Sequence, residues 1–341
     1  MRGIALLGLV VALAASLPAA AQSPDAFWRG KQVRFILGAA PGQDYDTWAR
    51  LLARHWPRHI PGNPTLVIEN MPGAGHIIAT NYLYNKAPRD GSAIGMVTRN
   101  IPNAAVMHIS GVMYDPQKFG WIGSPEKVNR GCFAMAGAAV QRAEDLFSKE
   151  LIVGGTGAGS SVSETPMLLK NLLGMRFKLV EGYVKPQDAV LAMERGELEG
   201  ICFTVQSLEQ ARPGWIAAGK VRVLFTLEHE RVPMTKAPVI FDFVTDEAQR
   251  KVLDFYSSSI EMGRPILAPP DVPPERLAAL RRSFDQTMAD PEFRAEAASL
   301  KLEIGAETGE ALQKIVVQAM AMPQDVVARA QSMTQGEFRS P

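Results

Sequence analysis

The feature that most limits the fold is an alternation of short apolar runs with helical periods. KQVRFILGA, TLVIEN, SAIGMVT, GCFAMA, ELIVGG, FKLVEGY, GICFTV and VRVLFTL each read as a buried strand, and each is separated from the next by a helical or turn-rich stretch. Trp48, Leu51, Leu52 and His55 fall at i, i+3, i+4 and i+7, one face of a helix directly after the first strand. Strand, helix, strand repeated in this way predicts an α/β chain with mainly parallel sheets flanked by helices. The tail is helical by period, with helices expected to start at Pro273-Pro274 and at Asp290-Pro291.

Length and the first residues set the next limits. Arg2, the apolar stretch Ile4 to Ala15 and the small residues Ala19 to Ala21 have the form of a secretory signal peptide over residues 1–21. The apolar stretch falls short of the roughly 20 residues that span a bilayer. The expectation is an exported, periplasmic protein whose mature part is 320 residues, 341 less 21. That exceeds what one hydrophobic core usually serves, so two domains are expected. No low-complexity linker separates them, and crossings are sought near residues 124–130 and 226–238. The first domain is then 22–127 plus 228–341, and the second is 128–227.

Charge excludes several partner classes. The chain has 36 basic and 35 acidic residues, and loss of Arg2 with the leader makes the two counts equal. Such a balance offers no footprint for nucleic acid. Five histidines and two cysteines show no metal-ligand spacing, so neither a metal nor a cofactor is expected. Cys132 and Cys202, in two predicted strands of the second domain, form either one disulfide in an oxidising compartment or two buried thiols.

Three turns follow predicted strands on one sheet edge: Ala40-Pro41-Gly42-Gln43-Asp44-Tyr45-Asp46, Asn70 to Gly75, and Gly154 to Ser161. Ligands of open parallel sheets bind beyond such strand ends, where glycine lets backbone N–H groups approach an anion and the next helix offers unpaired donors. The third turn is neither GxGxxG nor a Walker loop, and it lacks the last glycine of a nucleophile elbow. Asp46 suits either an N-cap or a ligand contact. Asp44 is either a solvated loop residue or a partner for a cationic or hydroxyl group. Arg99 is either a bidentate carboxylate ligand or a surface residue.

At these turns the chain resembles the exported solute-binding proteins of tripartite tricarboxylate transporters, the TctC or Bug family. Pro41 to Asp46 is similar to the family's P-G-G-x-x-D loop except at Gln43, and Asn70 to Gly75 matches its N-x-P-G-A-G turn. Ala87-Pro88-Arg89-Asp90-Gly91, Gly155 to Ser163, Tyr183 to Glu199 and Leu267 to Pro273 continue the resemblance in order, with departures at Val184 and at Ser163-Glu164-Thr165. The resemblance implies a two-domain, type II-like periplasmic binding protein without enzymatic activity. It would be monomeric, and would hold a small organic carboxylate in the interdomain cleft for delivery to inner-membrane permease subunits. The implied contacts are Ala40, Pro41, Gly42, Asp44, Tyr45, Asp46, Gly75, Thr98, Arg99, Thr156, Gly157, Ala158, Gly159, Ser160, Ser161, Tyr183 and Thr204. An exported α/β hydrolase and a receptor that reports to a membrane sensor kinase are the alternative readings.

Overall fold

The computed structural model describes residues 27–157, 160–232 and 235–334, so the expected signal peptide lies outside the described residues. Strands β1 (Gln32–Leu37), β2 (Thr65–Asn70), β3 (Ala93–Met96) and β4 (Gly120–Ser124) begin a first sheet. The chain then crosses to a second sheet of β5 (Arg130–Met135), β6 (Leu151–Gly154), β7 (Phe177–Val180), β8 (Gly200–Thr204) and β9 (Val221–Thr226). It returns to add β10 (Ile266–Ala268) and β11 (Glu307–Thr308) to the first.

The two sheets share one plan. Their strand orders are β11-β4-β10-β3-β1-β2 and β7-β6-β8-β5-β9. In the first, β1 pairs in parallel with β2 and β3, and β10 runs antiparallel between β3 and β4. In the second, β6 pairs in parallel with β7 and β8, and β5 runs antiparallel between β8 and β9. Each sheet is thus mainly parallel, with a reversed strand laid down by the segment that has just crossed over; the two-residue edge strand β11, antiparallel to β4, is a second reversal in the first sheet. This is the two-sheet α/β architecture expected from the alternation.

Helices cover both faces, and side-chain alternation along the strands decides what each face buries. In β1, Val33, Phe35 and Leu37 join a cluster with Trp48, Trp56, Phe284 and Phe293, whereas Ile36 faces Leu83, Trp121 and Leu312 on the other side. The predicted helical face Trp48, Leu51, Leu52 and His55 is buried in α1 (Asp44–His55). Helices α2 (Ile77–Asn85) and α3 (Ile101–Val106) follow β2 and β3. On the second sheet α4 (Ser161–Leu173), α5 (Pro186–Glu194) and α6 (Val205–Ala211) follow β6, β7 and β8.

After β9 the chain stays with the second sheet. Val239, Val252 and Phe255, the latter two on α7 (Glu247–Glu261), share a core cluster with Cys132, Leu151 and Cys202. The expected starts of α8 (Pro274–Ala289) and α9 (Pro291–Ser299) are both present, the second capped by Asp290. Helix α10 (Gly309–Met320) packs on the first sheet through Leu312 and Val316. The last helix, α11 (Gln324–Thr334), returns Val326, Val327 and Ala330 to the second-sheet cluster.

The chain passes between the sheets three times, and two of these passages, at residues 125–129 and 262–265, are bound to each other; the third joins α10 to α11. Glu126 is 1% exposed and Arg264 5% exposed, and the Arg264 guanidinium Nε donates to Glu126 Oε2. Trp48 Nε1 donates to the same oxygen at 2.9 Å, and the Arg264 backbone N–H donates to Ser124 Oγ at 2.8 Å. Burial pushes the Glu126 carboxyl upward, against the pull of Arg264. Gly263 has φ +58°, and a Cβ there would collide with the Glu126 carbonyl. The passages therefore approach as closely as a glycine allows.

Cys132 and Cys202 lie directly opposite each other on antiparallel β5 and β8 and are joined as a disulfide, with Cα atoms 4.0 Å apart.

Two outcomes are expected. Arg264→Met, which strands a buried carboxylate, lowers unfolding free energy by about 3–5 kcal/mol in urea titration; an Arg264→Met/Glu126→Leu pair, which removes both charges, recovers most of it. Replacing both cysteines by alanine opens a loop whose ends are 70 residues apart and costs about 2–4 kcal/mol. Mass spectrometry of unreduced, alkylated protein should find no free thiol.

Candidate functional site

The parallel strands of both sheets end toward one cavity of about 630 Å³. One wall comes from the turn before α2 (Ala74 to Ile77) and from the segment after β3 (Thr98 to Ile101). The opposite wall is Arg130 at the start of β5, Ser160, Ser161 and Glu164 at the start of α4, and Tyr256 and Ser259 on α7. Because β5 is reversed, its first residue reaches the edge where its parallel neighbours end.

The electrostatics of the cavity are dominated by two guanidinium groups. Arg130 is 2% exposed, and its Nε donates to Thr165 Oγ1 at 3.1 Å. Thr165 Oγ1 is also 2.9 Å from the Tyr256 hydroxyl. Among the described residues no side chain accepts from the terminal nitrogens of Arg130. Burial pushes its pKa down to about 10, and the cation Arg99 across the cavity acts in the same direction. Arg130 therefore keeps its charge at neutral pH, in a place where a second cation repels it. Burial pushes the Glu164 carboxyl up, against the pull of Arg130.

The turn at Gly73 to His76 is held in the left-handed region, with φ of +133°, +45°, +59° and +73° along Gly73, Ala74, Gly75 and His76. This turns the His76 imidazole back over Gly38, where any Cβ would strike the ring. The ring meets Tyr45 edge-on with centroids 5.0 Å apart. Burial, with Arg264 nearby, pushes its pKa down to about 4, so His76 is neutral where it lines the cavity.

The residues named from the sequence divide into three groups. Gly75, Thr98, Arg99, Ser160 and Ser161 line the cavity, and Ala158 and Gly159 lie outside the described residues. The rest are placed elsewhere. In the first loop the Ala40 N–H donates to Gln43 Oε1 at 3.0 Å, and the N–H of Gly42, just beyond exposed Pro41, donates to Asp46 Oδ2 at 2.9 Å. Asp46 is not the N-cap: α1 starts at Asp44 with Gln43 as cap, and Asp46 sits inside the first turn. Its buried carboxylate accepts from Gly42, from Arg50 Nε at 2.8 Å and from Asn70 Nδ2 at 3.0 Å. Burial alone would raise its pKa, and these bonds together outweigh that and lower it. Asp44 Oδ2 accepts from Ser207 Oγ at 3.4 Å and lies 3.5 Å from Arg264 Nη2, so it links the first loop to α6 and to the return passage. Tyr45 packs beneath the Arg264 guanidinium, 4.8 Å from the ring centre.

On the second sheet the glycine-serine turn is closed by the chain's own carboxylate. Gly157 N–H donates to Glu181 Oε2 at 2.8 Å and Ser163 Oγ donates to it at 3.0 Å. Thr156 N–H donates to Ser163 Oγ at 2.9 Å, and Thr156 Oγ1 lies 2.5 Å from Ser160 Oγ. Tyr183 packs, partly buried, against the cluster that holds Phe133 and Ile201, and buried Thr204 caps α6 by accepting from Ser207 N–H.

Sequence reasoning missed Arg130, Glu164, His76 and Tyr256. A signal existed for Arg130 alone: an arginine at the entry to an apolar strand, two residues before Cys132, is a charge without an obvious way to water.

Residues 58–333 match the TctC family, described as the tripartite tricarboxylate transporter family receptor. No curated protein matches the chain. Among solved structures, a ligand-free TctC solute-binding protein from Polaromonas superposes with TM-score 0.69 at 18% identity, covering 87% of this chain and 98% of that one. An adipate-bound protein from R. palustris gives TM-score 0.64 at 20% identity, covering 89% and 98%. Malate-bound MatC from Rhodopseudomonas palustris gives 0.60 at 20% identity, covering 87% and 99%. These likenesses share the two-sheet fold, and the family match spans most of the sequence; the chain belongs to the TctC family of tripartite tricarboxylate transporter receptors.

Proposed function

We propose that this protein is a periplasmic receptor that captures a small carboxylate-bearing solute between its two units and delivers it to the membrane subunits of a tripartite tricarboxylate-type transporter. The observation that carries the reading is the pair Arg99 and Arg130, which line one cavity, the first from the segment after β3 and the second from the start of β5, close enough for Arg99 to lower the Arg130 pKa. A guanidinium with free terminal donors binds carboxylate in a bidentate fork, and an anion between two such groups relieves their repulsion. The malate and adipate held by the two structural neighbours are ligands of this class.

A receptor reading also accounts for the hydroxyl groups. Ser160 is engaged by Thr156 Oγ1, and no histidine among the described residues hydrogen-bonds to Ser160 or Ser161. An activated nucleophile needs such a base within reach, so binding without catalysis is the simpler use of these side chains.

The second unit, 128–227 by sequence pattern, is best extended to residues 239–260 and 326–330, which share its core cluster. Closure on a ligand then turns on the passages 125–129 and 262–265 and on the connection between α10 and α11.

Arg130→Met should weaken binding of the best carboxylate from a malate, adipate and citrate panel by about 10- to 100-fold, the range for a lost charge-assisted hydrogen bond. Calorimetry measures the affinity and far-UV circular dichroism confirms the fold. Wild-type affinity in a folded Arg130→Met protein contradicts the assignment.

A further inference from the structure

The cavity contains a charge that the carboxylate reading does not use. Glu164 stands in the first turn of α4 and lines the cavity beside Arg130. Its carboxylate takes no hydrogen bond from any described residue and makes no ion pair with Arg99 or Arg130, although it feels the field of Arg130. The next residue, Thr165, is the one that holds Arg130 Nε. One helical turn therefore fixes a cation and an anion side by side without pairing them to each other. Burying unpaired opposite charges is costly, and an arrangement of this kind suits a ligand that brings the complement of both.

We infer that the ligand is an amino carboxylate, with its carboxylate on Arg130 and its ammonium group on Glu164. The inference rests on the carboxylate reading above and narrows it. The two complementary protein groups are held from adjacent points of the wall, and an α-amino acid carries its own two charges on neighbouring atoms. Arg99, on the opposite wall, remains for a second acidic group of the ligand. His76 is neutral, so the residues that line the cavity present two guanidinium charges against one carboxylate; Glu228, outside the lining, is taken up by the Arg130 backbone N–H. A ligand with one net negative charge, an amino dicarboxylate, balances the lining.

The alternative use of Glu164 is to repel. A carboxylate beside Arg130 disfavours every anion, and only a ligand with a cationic group converts that penalty into attraction. Glu164 is on this account the residue that determines specificity, and it acts on the ligand directly.

The test compares L-glutamate with glutarate, which differ only in the amino group, by calorimetry on the refolded full mature protein and on Glu164→Gln. The expected result is at least about tenfold tighter binding of glutamate by the unaltered protein, as for a charge-assisted contact. In Glu164→Gln that preference should collapse to less than about threefold, with glutarate held as well as before or better. Glu164→Asp, which keeps the charge, should restore part of the preference. Equal or tighter binding of glutarate by the unaltered protein overturns the inference, as does an unchanged preference in Glu164→Gln. If malate or adipate binds and neither probe does, the inference falls and the carboxylate reading stands. If no carboxylate binds at all, both fall.

Discussion

The buried ion pair between Glu126 and Arg264 ties together two of the three segments that pass between the sheets, and the placement of the cavity follows from it. Glu126 receives Trp48 from α1, and Arg264 anchors to Ser124 at the end of β4. The Arg264 guanidinium also covers Tyr45, whose ring meets His76 in the cavity wall. Asp44 adds a contact from Arg264 to Ser207 on the second unit. One buried cation thus joins both passages, the first loop and the edge of the site. A pair this deeply buried gains little net stability over an apolar replacement. It does fix one geometry for the two passages, because Gly263 and Glu126 touch.

The fold was largely legible because buried parallel strands are continuous apolar runs. TLVIEN is β2 residue for residue, β1, β3 and β6 to β9 fall within the runs read as strands, and β5 starts one residue before its run, at Arg130. The three strands that were not read have an evident reason for it. β4 is GWIGS, β10 is ILA and β11 has two residues; each is too short or too rich in glycine to show a period. Strand direction is likewise invisible to periodicity, so the reversal of β5, β10 and β11 appears only when the sheets are assembled. The helix starts at Pro274 and Pro291 were legible because proline belongs at the first turn.

The site was legible only where it lies at a strand end. Gly75, Thr98, Arg99, Ser160 and Ser161 follow strands directly, and the edge rule places them on the cavity. Arg130 and Tyr256 meet through Thr165 across long stretches of sequence, and no local pattern announces such a meeting. The first loop shows the opposite case. Its sequence looks like an anion cradle, yet Asp46 takes the Gly42 N–H and holds the loop to Asn70. In the second loop Glu181 takes the Gly157 N–H in the same way. Carboxylates of the chain itself satisfy these two backbone donors, while the cations of the cavity are left facing inward.

The account therefore rests on side-chain guanidinium groups rather than on backbone loops as the anion-binding element. The most direct measurement is a crystal structure of the protein with the tightest carboxylate found by a thermal-shift screen, in which a ligand of the folded state raises the melting temperature. The account predicts a carboxylate group of the ligand within hydrogen-bond distance of the Arg130 terminal nitrogens, with Arg99 closing from the other wall. A ligand held instead by the backbone of Pro41 to Asp46 and Thr156 to Ser161, with Arg130 untouched and Glu181 displaced, would contradict it.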